Sequence, residues 1–124
     1  MSFIDPGHKS VLVVEDEALL RMFAVDMFEE AGFDVIEADT AEEGAKLIAE
    51  AHEIVVLFTD VETPGNLDGI GLAQMTHDTY PDAAILVVSC RVTVDPDDLP
   101  PRSRFISKPY SQSVVLSTLQ DLLG

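Results

Sequence analysis

The run Ile54-Val-Val-Leu-Phe-Thr-Asp-Val-Glu-Thr-Pro-Gly-Asn-Leu-Asp-Gly69 carries an apolar strand into a carboxylate and then turns. Ile54 to Thr59 has no polar alternation, the pattern of a parallel strand buried on both faces. Asp60 therefore stands where a buried strand ends. A polar loop can begin with any polar residue, but a charge at such an edge also suits a nucleophile or a metal ligand. The remaining strand ends help to choose between these uses.

The same rhythm extends in both directions. Val11 to Val14 reads as a strand, followed by a helix with Leu20, Phe23, Ala24, Met27, Phe28 and Ala31 on one face and Gly32 at its close. Asp34 to Ala38 is a second short strand. Thr40-Ala-Glu-Glu43 is a capping box, in which hydroxyl and carboxylate satisfy orphan amides, and its helix runs to about Ala51. After the strand Ile54 to Thr59, Pro64 and Gly65 mark a loop, and a helix spans about Leu67 to Thr79, stopped by Pro81. Strand four is Ala83 to Val88 and strand five Arg104 to Ser107. The last helix, Ser111 to Leu123, offers Val115, Leu116, Leu119, Leu122 and Leu123 to a core. Between Val92 and Pro101, three prolines oppose a regular helix, so a loop or one irregular turn is expected.

Alternation of apolar strands with helices means a parallel sheet covered on both faces, a doubly wound α/β domain. Such domains bind ligands at the carboxyl ends of their strands. Here those ends hold Glu15-Asp16, Asp60, Ser89 and Lys108-Pro109. In a strand order 2-1-3-4-5 these side chains converge. Clustered carboxylates raise one another's pKa and call for a cation, and an all-oxygen set with few protein ligands suits Mg2+. A phosphoryl group brought to a carboxylate nucleophile needs a metal, an ammonium and a hydroxyl, the types present. Singly, each has an ordinary explanation: Lys108 as a surface lysine, Ser89 as a strand-end hydroxyl, Asp16 as the N-cap of the first helix.

Composition bounds the partners. The 124 residues, 47% hydrophobic, suit one domain, 1–124. A formal charge of −16 repels a phosphate backbone, so direct nucleic-acid binding is not expected. The longest apolar run, Ala83 to Val88, falls far short of the ~18 residues of a membrane span, and Met1 to Gly7 lacks a signal layout. A cytoplasmic protein without membrane contact is expected. The single Cys90 excludes an internal disulfide and is expected as a small buried side chain. His8, His52 and His77 have no partner at helical ligand spacing, and Gly69-Ile-Gly71 lacks the context of a dinucleotide loop.

On Val11-Leu-Val-Val-Glu-Asp-Glu17, Phe58-Thr-Asp60 with Pro64, Leu67-Asp-Gly69, Leu86-Val-Val-Ser89 and Phe105-Ile-Ser-Lys-Pro-Tyr110, the chain resembles the receiver domain of two-component response regulators. The resemblance covers essentially the whole chain. It implies a flavodoxin-like fold with a five-stranded parallel sheet in the order 2-1-3-4-5. It implies Asp60 as phosphoacceptor, charged by a histidine kinase or histidine phosphotransfer protein. Asp16 and Asp60 would ligate Mg2+ directly, with the backbone carbonyl of Glu62, and Glu15 would act through water. Lys108 would pair with the phosphoryl group, Ser89 would move to hydrogen-bond it, and Phe105 would be the switch aromatic. The Lys108-Pro109 bond would be cis. Glu62 and Arg91 would flank the path of the hydrolytic water, form an ion pair and set the phosphate lifetime.

Departures from the family pattern bear on output. The stretch Asp60 to Gly69 is one residue longer than usual, with Thr63 where Met or Leu is common, and a local bulge is expected. Cys90 replaces a small residue. The span from Ser89 to Lys108 is short and proline-rich, so the fourth helix, part of the usual output surface, should be short or missing. Only 16 residues follow Lys108, room for one helix, which points to a stand-alone monomer acting through a downstream protein or a phosphorelay. Its chemistry would be self-phosphorylation and autodephosphorylation, not enzymatic turnover. Two other readings remain open: a pseudo-receiver that binds partners without phosphorylation, and a haloacid-dehalogenase-like phosphatase suggested by Asp60-Val-Glu-Thr63. The second motif belongs on a first strand in a larger, capped chain.

Overall fold

Strands and helices alternate through the computed structural model, which describes residues 10–50, 53–91 and 93–124. His8, Ala51, His52, Val92 and the stretch Met1 to Gly7 lie outside the described residues. The order is β1 (Ser10–Val14), α1 (Ala18–Glu30), β2 (Asp34–Ala38), α2 (Ala41–Ala49), β3 (Ile54–Asp60), α3 (Gly69–Thr79), β4 (Ala84–Ser89), β5 (Ser103–Ser107) and α4 (Gln112–Leu123). The strands form one parallel sheet in the order β2-β1-β3-β4-β5, as expected.

Side-chain parity along the strands divides the core in two. Val11, Val13, Val56, Phe58, Leu86 and Val88 face one side, where Met27 and Phe28 of α1 and Val115, Leu119 and Leu122 of α4 cover them. Leu12, Val14, Leu57, Ile85 and Val87 face the other, under Ile48 of α2 and Leu72 of α3. Because both faces are covered, the central strands have no solvated side, which explains their unbroken apolar runs.

Side-chain caps start three helices, α2 where the capping box indicates, α3 two residues and α4 one residue later than expected. Thr40 Oγ1 accepts the Glu43 N–H at 3.1 Å, Asp68 Oδ1 that of Gly71 at 2.9 Å, and Ser111 Oγ that of Val114 at 3.2 Å. The cap of α1 differs from expectation. Glu17, not Asp16, occupies the cap position and makes no side-chain cap bond, which leaves the Asp16 carboxylate uncommitted to the helix.

Burial in α1 also starts later than its apolar pattern implies. Ala24, Met27 and Phe28 are buried, whereas Leu19, Leu20, Met22, Phe23 and Ala31 are exposed. The helix leaves β1 at the sheet's edge, so its first turns stand at the rim, and Phe23 contacts the Tyr110 ring at 6.1 Å. Leu123, at the end of α4, is likewise exposed. Cys90 is exposed too, contrary to expectation, because β4 stops at Ser89 and the chain bends out of the sheet there.

Among the described residues, β4 and β5 are joined by an irregular segment with a single 3-10 turn, Pro96–Asp98. The fourth α-helix in chain order is therefore the C-terminal one. Asp95 caps the turn by accepting the Asp97 N–H at 2.9 Å. Val94 and Leu99 pack from this segment onto the α2/α3 face beside Phe105.

The joint between β3 and α3 is tight. Gly69 lies against the backbone of Asp60 and Val61; a Cβ there would overlap the Asp60 carbonyl and come within 2.9 Å of Val61 Cα. Gly69→Ala must therefore push the Asp60 backbone aside. It is expected to cost about 2 kcal/mol or more, the range of overpacking against rigid atoms. Urea denaturation checks this: an unchanged midpoint would show that the joint yields freely.

Candidate functional site

Register places the polar strand ends together. Val14, the last residue of β1, pairs with Thr59; Asp60 pairs with Val88; Ser89 pairs with Ser107. One residue beyond each of β1 and β5, Glu15 and Lys108 therefore reach the edge where Asp60 ends β3. Lys108 Nζ donates to Asp60 Oδ2 at 2.7 Å and to Glu15 Oε1 at 2.8 Å. All three groups are largely buried, with side-chain exposures of 12% for Lys108, 5% for Glu15 and 8% for Asp60.

Burial opposes charge on the Lys108 ammonium, yet its hydrogen bonds and attraction to Asp60 and Glu15 outweigh this and raise its pKa. Burial raises the Glu15 pKa as well, only partly offset by Lys108 and by the Glu17 N–H, which donates to Glu15 Oε2 at 3.2 Å. Burial also raises the Tyr110 phenol, whose ring packs edge-on against Phe58 at 5.5 Å beside the cluster.

Asp16 is exposed at the mouth. Carboxylate oxygens of Glu15, Asp16 and Asp60 lie within 4.8 Å of one another, a spacing that one cation can bridge. Three hard oxygen donors against a single ammonium leave negative charge uncompensated, and that donor chemistry fits a small divalent ion such as Mg2+.

Ser89 and Glu62 close the opposite wall. The Ser89 hydroxyl donates to Glu62 Oε1 at 3.0 Å, and the Glu62 N–H donates to Asp60 Oδ1 at 3.1 Å. The Arg91 N–H donates to Ser89 Oγ at 3.1 Å. The expected Glu62–Arg91 ion pair is not among the ion pairs of the described residues. Glu62 turns to the nearer hydroxyl, while Arg91 contributes its backbone and is exposed. Phe105 is half-buried beside Val94 and Leu99. The Lys108-Pro109 bond is cis.

Two supports were not anticipated from the sequence. Arg21 of α1 donates from Nη1 to the Glu15 carbonyl at 2.9 Å and from Nε to Glu37 Oε1 at 3.0 Å, holding the end of β1 in place. Glu42 of α2 accepts the Asn66 N–H at 2.8 Å, and Thr63 Oγ1 donates to the Leu67 carbonyl at 3.1 Å, so the long β3–α3 loop is tied down at both levels. Arg21 stands one helical turn after Glu17; that spacing marks a helix face but reveals nothing about a carbonyl across the sheet edge.

Against this geometry the comparisons with known proteins agree. The model of the response regulator receiver domain matches residues 11–120, and the chain belongs to that family. The response regulator receiver protein CpdR of Brucella abortus is 29% identical over 93% of this chain and 97% of its own length. The sensor kinase CckA of the same organism is 30% identical over 94% of this chain, which spans only 13% of that kinase. Among solved structures, a receiver protein from Sinorhizobium medicae superposes with a TM-score of 0.89 at 20% identity, over 96% of this chain and 97% of that one, a likeness of fold. The receiver domain of the hybrid histidine kinase CckA superposes at 0.77 with 26% identity, over 93% of this chain and 99% of that one. The chain is thus a phosphoacceptor response regulator of two-component signalling. No helix among the described residues is long and apolar enough to cross a membrane.

Removing Lys108 strands two buried carboxylates. Lys108→Met is expected to lower stability at neutral pH by about 3 kcal/mol, as for a buried pair deprived of one partner. Because the fold raises the Lys108 pKa, its contribution is complete below the ordinary lysine value of 10.5 and is lost as pH rises through the folded value. The wild-type advantage in denaturation midpoint over Lys108→Met should hold at neutral pH and shrink in alkali; an advantage that persisted unchanged would refute this account.

Proposed function

We propose that Asp60 is the phosphoacceptor of a cytoplasmic receiver, charged by the phosphohistidine of a histidine kinase or histidine phosphotransfer protein. The observation that carries this reading is the double grip of Lys108 on Asp60 and Glu15 at the strand edge. In transfer, a carboxylate oxygen of Asp60 attacks phosphorus while the donor's N–P bond breaks. The imidazole leaves with that electron pair, and the phosphoryl group ends on Asp60 as an acyl phosphate.

Each neighbour has a part in that step. Lys108 holds Asp60 in place beforehand, and its ammonium then pairs with the incoming phosphoryl oxygens. Ser89, buried beside Asp60, supplies a hydroxyl to another of those oxygens. Phe105 follows Ser89 as the switch aromatic, packed on the segment that replaces a helix between β4 and β5. Glu15, Asp16 and Asp60, with the backbone carbonyl of Glu62, would hold Mg2+, which supplies charge neutralisation for the transferred group. Output would then pass by contact with a downstream protein or by onward phosphoryl transfer; turnover of a small substrate is no part of this reading. The overall charge of −16 disfavours nucleic acid as the direct target.

Glu62 and Arg91 would also set the lifetime of the acyl phosphate, since both reach Ser89 at the rim. Autodephosphorylation of Glu62→Ala should differ from wild type by several-fold, and that of Arg91→Ala likewise; rates equal to wild type would remove them from this role.

Phosphoacceptance is checked by intact mass after incubation of the full chain with Mg2+ and acetyl phosphate. One added phosphoryl group is expected, lost in Asp60→Asn and on chelation. No addition in wild type, together with no beryllofluoride binding, would favour a pseudo-receiver in which the acidic cluster only binds a cation.

A further inference from the structure

We propose that the Glu62 carboxylate is a built-in competitor for the Ser89 hydroxyl, a latch that the phosphoryl group must displace before the switch can move. The proposal rests on Asp60 as phosphoacceptor and concerns what stands in the way of that event.

A hydroxyl has one proton to donate. In this structure that proton goes to Glu62 Oε1, at 3.0 Å, and an ionised carboxylate can only accept. The Ser89 oxygen also accepts the Arg91 N–H at 3.1 Å, so the hydroxyl is held as both donor and acceptor. Ser89 itself is 1% exposed and lies on the last register position of β4, which restricts where else its hydroxyl can turn. Residue 62 meanwhile touches the acceptor, through the N–H it donates to Asp60 Oδ1 at 3.1 Å. One residue therefore spans nucleophile and switch, backbone on the first and carboxylate on the second.

The carboxylate presents to Ser89 the same chemistry that a phosphoryl oxygen would: an anionic acceptor seeking a charge-assisted hydrogen bond. Both cannot take a single proton, and two anions at that distance repel. Glu62 is solvent-exposed, so its carboxylate can exchange the Ser89 bond for water at little cost, whereas the phosphoryl group is covalently held. Arrival of the phosphoryl group thus expels Glu62 and transfers the Ser89 hydrogen bond inward. Until then, Glu62 keeps Ser89 in its resting orientation and lowers the affinity of the site for a phosphoryl group.

The test is a double-mutant cycle on the full chain, read as the equilibrium affinity for beryllofluoride with Mg2+ by 19F NMR titration. Glu62→Gln keeps the size and backbone of the residue but removes the charge. It is expected to bind beryllofluoride about tenfold more tightly than wild type, about 1.4 kcal/mol. The gain should persist in Ser89→Thr, which retains a hydroxyl, and vanish in Ser89→Ala, where no proton is contested. Far-ultraviolet circular dichroism establishes that each variant is folded, and should Ser89→Ala not fold, Ser89→Val, which has the shape of Ser89→Thr but no hydroxyl, supplies the hydroxyl-free arm. An equal gain with and without the hydroxyl would overturn the latch in favour of general charge repulsion, and no gain in Glu62→Gln with a hydroxyl present would overturn it outright. Absence of binding in every variant would instead remove the phosphoacceptor reading beneath it, whereas binding by wild type without coupling removes only the latch.

Discussion

The Lys108 ammonium lies between the carboxylates of Asp60 and Glu15 and is the contact on which the strand-end edge depends. Without it, buried negative charges would face one another with no compensation, and burial already raises the Glu15 pKa. The contact joins β1, β3 and β5, strands far apart in the chain, so it exists only once the sheet is assembled. The site is therefore held by tertiary structure, and its stability and its chemistry are coupled through a single side chain.

Around that contact, the fold supplies rigidity where position matters and freedom where a group must move. Arg21 anchors the end of β1, Glu42 fixes the β3–α3 loop, and Gly69 permits α3 to start against the Asp60 backbone. Asp16 and Glu62, by contrast, are exposed at the mouth. This division suits the proposed role, in which a buried Asp60 would be kept in register while the outer carboxylates would exchange partners as a cation or a phosphoryl group arrives. The irregular segment with its 3-10 turn between β4 and β5 gives Phe105 neighbours, Val94 and Leu99, supplied by a proline-rich chain and not by a regular helix.

Much of this was legible before folding. The strands were visible as unbroken apolar runs, since a sheet covered on both faces admits no polar alternation, and the start of α2 was visible in the capping box at Thr40. Strand ends named Glu15, Asp16, Asp60, Ser89 and Lys108 because four ordered strand ends together carry these polar groups, although each alone has an ordinary explanation. Less legible was which apolar residues would be buried. Leu20 and Phe23 share the helical period of Met27 and Phe28 but stand at the rim, because periodicity identifies a face and not how far along a helix the neighbouring sheet extends. Cys90 is exposed for a related reason: it follows an apolar strand in sequence yet lies beyond the end of β4.

The sequence by itself determined the alternation of elements, the two-sided core and the residue types at the carboxyl edge, because hydrophobic period, capping and turn chemistry are local properties. Only the tertiary structure decided partners. Glu62 took the Ser89 hydroxyl and not the Arg91 guanidinium, and Arg21 found the Glu15 carbonyl, because hydrogen bonds are won by distance and direction over a few tenths of an ångström. Such distances arise from the packing of segments remote in sequence, and no spacing along the chain encodes them.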